Sequence, residues 1–492
     1  MFRKPNKKTQ NQDLKDQKIP KKLEQTRQLI KKLFHVPTNA DIVIRDLNIG
    51  STPAFLLFIS SISNTKSIED SIIKPLLSIN SVDKSMGNII DSASITEVET
   101  IHDAIQNVNR GNTVVFIDGS TIAYKLDTTK FEARSIEKPA NEITLTGPKE
   151  GFNETASTNI NLIRKRVQNE NLVFENVTIS ARGNNQLFIS YISDIANTET
   201  IDKIRKKIKN LDPALLQNLS ILEEYIDEHP YSLFPTLLHT ERPDRAAAFL
   251  NDGHVILLME GTPAVLVLPA TFWSFIHSPD DQYLRFIFGN FIRILRAISI
   301  FVTIFTSAIY VAVTNFHSSM IPPDLLFAIA STREKVPFPA LVEVLIMELA
   351  FELIREAGLR VPAPIGPTIG IVGALILGQS AVQANIVSPI VVIVVALSGL
   401  SSFVVGDISM NFAIRSTRLL FILAAGLFGI FGMAAVFAVG MFYMVSIRSF
   451  GVPYLAPFTP VYASSKNVLF RRRITKEKYR PEYLDPKDLT KK

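Results

Sequence analysis

The sequence contains no cysteine. That excludes disulfides, cysteine-ligated zinc, thiol catalysis and a lipidated N-terminal cysteine. Its seven histidines, His35, His102, His229, His239, His254, His277 and His317, do not pair at metal-ligand spacing, and no His-Glu-x-x-His helix is present. There is no Gly-x-Ser-x-Gly elbow. The run Gly366-Pro-Thr-Ile-Gly370-Ile-Val-Gly373 lacks the Lys-Ser/Thr of a phosphate loop. No enzyme, cofactor or metal site is expected.

Charge is also missing where it matters most. Residues 297–323, 361–406 and 419–447 hold no Asp, Glu, Lys or Arg. A helix crossing the hydrocarbon core needs about 20 apolar residues. The first and third stretches predict spans over 297–316 and 419–447. The middle one, broken near Gln383-Ala384-Asn385, predicts a hairpin of spans over 365–383 and 386–405, with Pro389 in the first turn of its second helix. Between them, 338–356 is apolar but carries Glu343, Glu348, Glu352, Arg355 and Glu356. It reads as an amphipathic helix at the interface, or a re-entrant helix with its acids facing water.

The chain has 492 residues, a mean hydropathy of +0.20 and a net charge of +6, unevenly placed. Residues 1–32 carry +8 and residues 466–492 carry +6, leaving −8 on the 433 between. Four spans put both termini on one side, and the basic tails make that side cytoplasmic. Arg293 and Arg296 agree with this orientation, whereas Arg415 and Arg418 run against it. The polar first 32 residues lack the apolar core of a signal peptide. Arg471-Arg472-Arg473, beside the last span, reads as an anchor on anionic lipid, and no nucleic-acid partner is expected.

Residues 33–275 read as α+β, and the segment repeats itself. Phe58-Ile59-Ser60 precedes Asn64-Thr65 and Ile68, and Phe188-Ile189-Ser190 precedes Asn197-Thr198 and Ile201. Helices are predicted over 67–79 and 198–210. Downstream, Asp118-Gly119 and Glu260-Gly261 each separate two apolar runs, a hairpin signal. Two similar αβ subdomains follow, about 41–126 and 171–268, joined by 127–170. The expected organisation is therefore a basic disordered tail (1–32), a first αβ subdomain with connector (33–150), a second (151–285), an all-α membrane domain (286–465) and a basic cytoplasmic tail (466–492). A cleft between the subdomains suits a ligand, or the pair suits an assembly ring. The dense Thr240-Glu-Arg-Pro-Asp-Arg245 reads as a salt-bridged joint.

Several strings together carry a resemblance. They are Thr240-Glu-Arg-Pro-Asp-Arg245, Gly261-Thr-Pro263, Val336-Pro-Phe-Pro-Ala-Leu-Val-Glu343, Arg355-Glu-Ala-Gly-Leu-Arg-Val-Pro362, Ile365-Gly-Pro367 and Ser449-Phe-Gly-Val-Pro-Tyr-Leu-Ala-Pro457. Gly147-Pro148 and Glu150-Gly-Phe152 add to them. From about residue 40 to about 460 the chain resembles the GerA family of spore germination proteins, A-type subunit. The resemblance implies a nutrient germinant receptor in the spore inner membrane. It further implies a transporter-like B-type subunit and a C-type lipoprotein as partners. It implies a ring of A-type subunits that passes monovalent cations.

Residue roles come from physics rather than from the resemblance. In the 365–383 span, Thr368, Val372, Leu375 and Gln379 share one face, with Gln383 a turn further on. Thr and Gln can replace part of an ion's hydration, and Val372 with Leu375 can form a dewetting gate. Gly366, Gly370 and Gly373 lie on a neighbouring face suited to close helix packing. Glu343, Glu348 and Glu352, repeated in a homo-oligomer, would form an acidic vestibule. A transporter-like subunit and a non-conducting scaffold remain the alternatives.

Overall fold

Apolar runs closed by glycine turns build two five-stranded antiparallel sheets, followed by a bundle of long apolar helices. The computed structural model describes residues 17–491 apart from 79–94, 131–137, 140, 143–145, 180–184, 212, 214–215, 361–365 and 463–466. Side chains of 185, 359, 366–372 and 374–375 also lie outside the description.

The first sheet comprises β1 (Ile42–Ile49), β2 (Thr52–Ile59), β3 (Ile95–Val98), β4 (Thr113–Ile117) and β5 (Ala123–Leu126), in the order β1-β2-β4-β5-β3. The second comprises β6 (Leu172–Ile179), β7 (Asn185–Ile192), β8 (Leu238–Thr240), β9 (Val255–Met259) and β10 (Val265–Leu268), in the order β6-β7-β9-β10-β8. The two orders are the same. The repeated hairpins are β4–β5 and β9–β10, turning at Gly119 (φ +78°) and Gly261 (φ +83°), where a side chain would strain the backbone. The repeated Asn-Thr pair also has a physical reason. Asn64 accepts the Ser67 N–H at 3.2 Å, and Asn197 accepts the Glu199 N–H at 2.9 Å, so each asparagine caps the helix after the sheet's second strand.

The helices of the αβ part are α1 (Leu23–Leu33), α2 (Ile101–Asn109), α3 (Ala156–Arg166), α4 (Thr198–Lys209), α5 (Leu219–Ile226), α6 (Pro243–Asp252) and α7 (Phe272–Ile276). The predicted 67–79 helix is instead a short composite, Thr65–Ser67, a π-helical Ile68–Ile73 and Lys74–Leu77. Residues 1–16 of the expected disordered tail lie outside the described residues. Its remainder is ordered: α1 buries Thr26 and Ile30 against the first sheet, because an apolar stripe outweighs the local basic charge.

The bundle comprises α8 (Phe286–Phe316), α9 (Pro323–Arg333), α10 (Ala340–Arg360), α11 (Gly366–Gln383), α12 (Pro389–Ser402) and α13 (Ile408–Ser446). Among the described residues two of them, α8 with 31 residues and α13 with 39, are long and apolar enough to cross a membrane. The predicted 386–405 span is a 14-residue helix, α12. Buried Val311 of α8, Val344 of α10, Val391 and Val395 of α12 and Phe421 and Ile422 of α13 belong to one core, while Phe301, Phe428, Phe431 and Phe442 point outward. Inside α13, Gly429 breaks the helical path with φ +60° and ψ −143°. A Cβ there would meet Phe316 and His317 at 3.1 Å, so a close packing contact and a backbone only glycine adopts coincide.

Candidate functional site

Two charged constellations stand where separate parts of the chain are joined. The first joins the second αβ unit to the foot of α8. Arg242, 2% exposed, donates to Asp244 (3.1 and 2.8 Å) and to Asp280 (3.2 Å). The Tyr283 hydroxyl donates to Asp244 at 2.6 Å. Burial opposes the Asp244 charge, but the bonds from Arg242 and Tyr283 outweigh it and hold the carboxyl below its usual range. Burial, with Asp244 alongside, pushes the Tyr283 phenol up to about 12. Arg245 pairs with Glu142 of the connector and donates to the Ser274 carbonyl at 2.7 Å. Asp281, 1% exposed, accepts Arg293 at 3.0 Å and Arg296 at 3.2 Å. The Thr240–Arg245 string is thus a salt-bridged joint.

The second constellation lies among the helices. Arg418 of α13 is fully buried, 2.7 Å from Glu348 and 3.0 Å from Glu352 of α10. It donates to Ser398 of α12 at 3.1 Å, and Ser398 donates to the Thr303 carbonyl of α8 at 3.0 Å. Ser307 of α8 donates to Glu348 at 2.9 Å, and Arg415 donates to Glu352 at 2.9 Å. Arg355 reaches Ser402 at 2.7 Å and sits over the Phe403 ring at 4.5 Å. Four helices therefore meet on one ion network. A buried charge is tolerated only with its partner, and removing one partner costs about 3–5 kcal/mol.

This network accounts for the two arginines that contradicted the charge-based orientation. Arg415 and Arg418 are partners of glutamates rather than markers of a membrane side. Their signal was in the sequence: two acids at i, i+4 and two arginines at i, i+3 in otherwise apolar helices. The acids proposed for a vestibule are here. Glu343 is fully buried, 3.3 Å from Arg333 and accepting the Ser388 N–H at 2.8 Å. Glu343 and Glu348 are enclosed within the chain and Glu352 is partly buried, so in this arrangement the three carboxylates are bound to arginines. As part of α10 the segment accordingly turns Glu343, Glu348 and Glu352 toward the bundle, while Glu356 stays exposed beside Arg360.

Within the predicted 365–383 span, Gly366–Gln383 form the helix α11. The side chains of Thr368, Val372, Leu375, Gly366 and Gly370 lie outside the described residues. Gln379 and Gln383 are exposed on the single chain. A Cβ at Gly373 would lie 3.9 Å from Ile354, so this glycine faces α10. Between the sheets a cleft of about 970 Å³ is lined by Asp41, Ser60, Ser61, Asn176, Gln186 and Glu260, among others.

The family model described as Bacillus/Clostridium GerA spore germination protein matches residues 28–483. Spore germination protein KA of Bacillus subtilis is 35% identical over 463 residues, covering 92% of this chain and 85% of that protein. Spore germination protein A1 of the same organism is 39% identical, covering 75% of this chain and 76% of that protein. The crystal structure of the N-terminal domain of the A subunit of the Bacillus megaterium spore germinant receptor GerK3 matches with a TM-score of 0.39 and 24% identity, covering 52% of this chain and 97% of that one.

Proposed function

This chain belongs to the GerA family of spore germination proteins, and on that premise we propose that it is the A-type subunit of a nutrient germinant receptor in the spore inner membrane. Copies of it assemble around a closable path for monovalent cations, with both termini cytoplasmic. A B-type transporter-like subunit and a C-type lipoprotein complete the receptor.

The reading rests on one observation above all. Helix α11 has no charged residue, yet leaves Gln379, Ser380 and Gln383 exposed on the single chain. In hydrocarbon these groups would lose their hydrogen-bond partners. A ring of copies about a water-filled path supplies partners and gives the amides a role. By helical spacing the face of Gln379 and Gln383 carries Thr368, Val372 and Leu375, and Val372 with Leu375 is the proposed constriction. The Glu348–Arg418 network then fixes α10 against α8, α12 and α13, so that α11, which packs on α10, moves only when that group moves.

The test is Val372→Ala in reconstituted receptor and in spores. A leak of monovalent ions, or germination without nutrient, is the expected outcome. Unchanged nutrient dependence at normal protein level would remove Val372 from the gate.

A further inference from the structure

The C-terminal tail folds back against the foot of α8, and the arginine it brings there has no counter-charge among the described residues. Val468 is buried, its carbonyl accepting His277 at 2.8 Å. The Asn467 carbonyl accepts Arg293 at 3.1 Å. Arg471 is clasped by Asn290 of α8: its N–H donates to the amide oxygen at 2.6 Å, and its carbonyl accepts the amide nitrogen at 3.3 Å. The backbone is thus pinned and the guanidinium is placed.

Arg471 is 9% exposed. Its Nη2 has one long contact, 3.5 Å to the Leu284 carbonyl. Its Nε and Nη1 are buried with no partner among the described residues. One face lies 5.9 Å from the Phe286 ring centroid, which leaves the edge of the fork unused. Arg471 and Arg293 line the same cavity, of about 210 Å³. The other charges on its wall are spoken for. Asp244 is held by Arg242, Asp252 and Glu477 by Lys491, Arg245 by Glu142, and Arg293 shares Asp281 with Arg296. Desolvating a guanidinium edge without an acceptor is costly, and a bidentate oxyanion is the group that fits it.

The surroundings name the source of the oxyanion. Leu469, Phe470 and Ile474 are exposed apolar side chains flanking exposed Arg472 and Arg473. Phe288 and Phe291, on either side of Asn290 in α8, are exposed as well. Exposed apolar groups mixed with arginines are the composition of a segment lying at a lipid surface. We infer that Arg471, with Arg293 at its side, binds the phosphate group of an anionic phospholipid, so that one headgroup ties the C-terminal tail to the base of the first membrane helix. This inference stands whether or not the chain conducts ions.

The test uses the full chain, reconstituted in mixed phosphatidylcholine and phosphatidylglycerol vesicles and extracted in mild detergent. Retained lipid is counted by mass spectrometry. Wild type is expected to keep phosphatidylglycerol in preference to phosphatidylcholine, and Arg471→Gln to keep about tenfold less of it. Arg471→Lys, which keeps charge but not the fork, is expected to fall between them. Delipidated protein is also titrated with inorganic phosphate and followed by thermal unfolding, which reports folding of each variant. If phosphate stabilises wild type but not Arg471→Gln while no lipid is retained, the site stands and its occupant is the free anion. Equal phosphatidylglycerol retention and equal phosphate response in wild type and Arg471→Gln overturn the site. Loss of lipid in an Arg472→Gln/Arg473→Gln double variant to the same degree as in Arg471→Gln also overturns it, because bulk surface charge would then account for the binding.

Discussion

Where each αβ unit turns from its short crossover strand into the helix that follows, the first unit has Thr100 and the second has Arg242. Thr100 acts locally, its hydroxyl accepting the Asp103 N–H at 3.1 Å and capping α2. Arg242 has no capping bond and instead reaches out to Asp280, at the foot of α8. The same contrast holds for the cores. Among the described residues, the buried apolar side chains clustered around the first sheet come from residues 19–126. The core of the second sheet continues into Val405, Met410, Ala413, Ile414 and Ile447 of the bundle. One topology is used twice, once closed on itself and once opened toward the helices. The first unit is tied to the second chiefly by Arg164, which donates to Asp41 at 3.0 and 2.9 Å, and by Asn39, which bonds the edge of β6.

The largest expected effect tests that tie. Arg164→Met leaves Asp41 buried without its cation and should cost about 3–5 kcal/mol. Hydrogen exchange should rise in β1 and α3 before it rises in β9 and β10; uniform exposure of both sheets would mean that the two units are one cooperative body. The matched pair Arg242→Met and Thr100→Ala comes next. The first should cost about 3 kcal/mol and loosen α6 from α8, against about 1 kcal/mol confined to α2 for the second. Equal losses by thermal unfolding would erase the distinction between joint and cap.

A pH scan separates the units without a mutation. Burial pushes His254 down to about 4, and burial with nearby Arg293 pushes His277 down to about 3. Below about 6.5 the unfolded chain takes up protons that these folded imidazoles refuse, so stability falls as pH falls toward about 4, by about 1 kcal/mol per histidine per pH unit. Both residues belong to the second unit and its seam with the tail, so exchange of α6 and β9 should quicken first. The smallest effect is a control. Gly119→Ala and Gly261→Ala place a side chain at positive φ with open space around it, and each should cost about 1 kcal/mol. Unequal costs would show that the two hairpins are not equivalent.

The repeat was legible because its turns and caps are local. Asp118-Gly119, Glu260-Gly261, Asn64 and Asn197 act on backbone a few residues away, and the sequence order carries that. Strands β3 and β8 were not legible: at four and three residues they are too short for an alternating pattern, and they lie at a sheet edge by virtue of pairing with β5 and β10. The helix ends also escaped. The uncharged stretch suggested a start at 297, yet α8 begins at Phe286, because Asp281 neutralises Arg293 and Arg296 from an earlier turn of chain. Likewise the Arg418–Glu348 pair joins residues far apart in sequence, and charge counting took its arginines for a statement about sidedness. Pairing across helices is the contribution that a one-dimensional reading omits.

An unbroken helix of 39 residues would behave as a stiff rod, delivering any push at one end undiminished to the other. The break at Gly429 makes α13 two shorter levers sharing a pivot, seated against Phe316 and His317 at the far end of α8. A shove from the end nearest the second sheet then emerges beyond the pivot as a change of tilt. The second sheet, whose core is continuous with the lower lever, is the natural place for such a shove to begin.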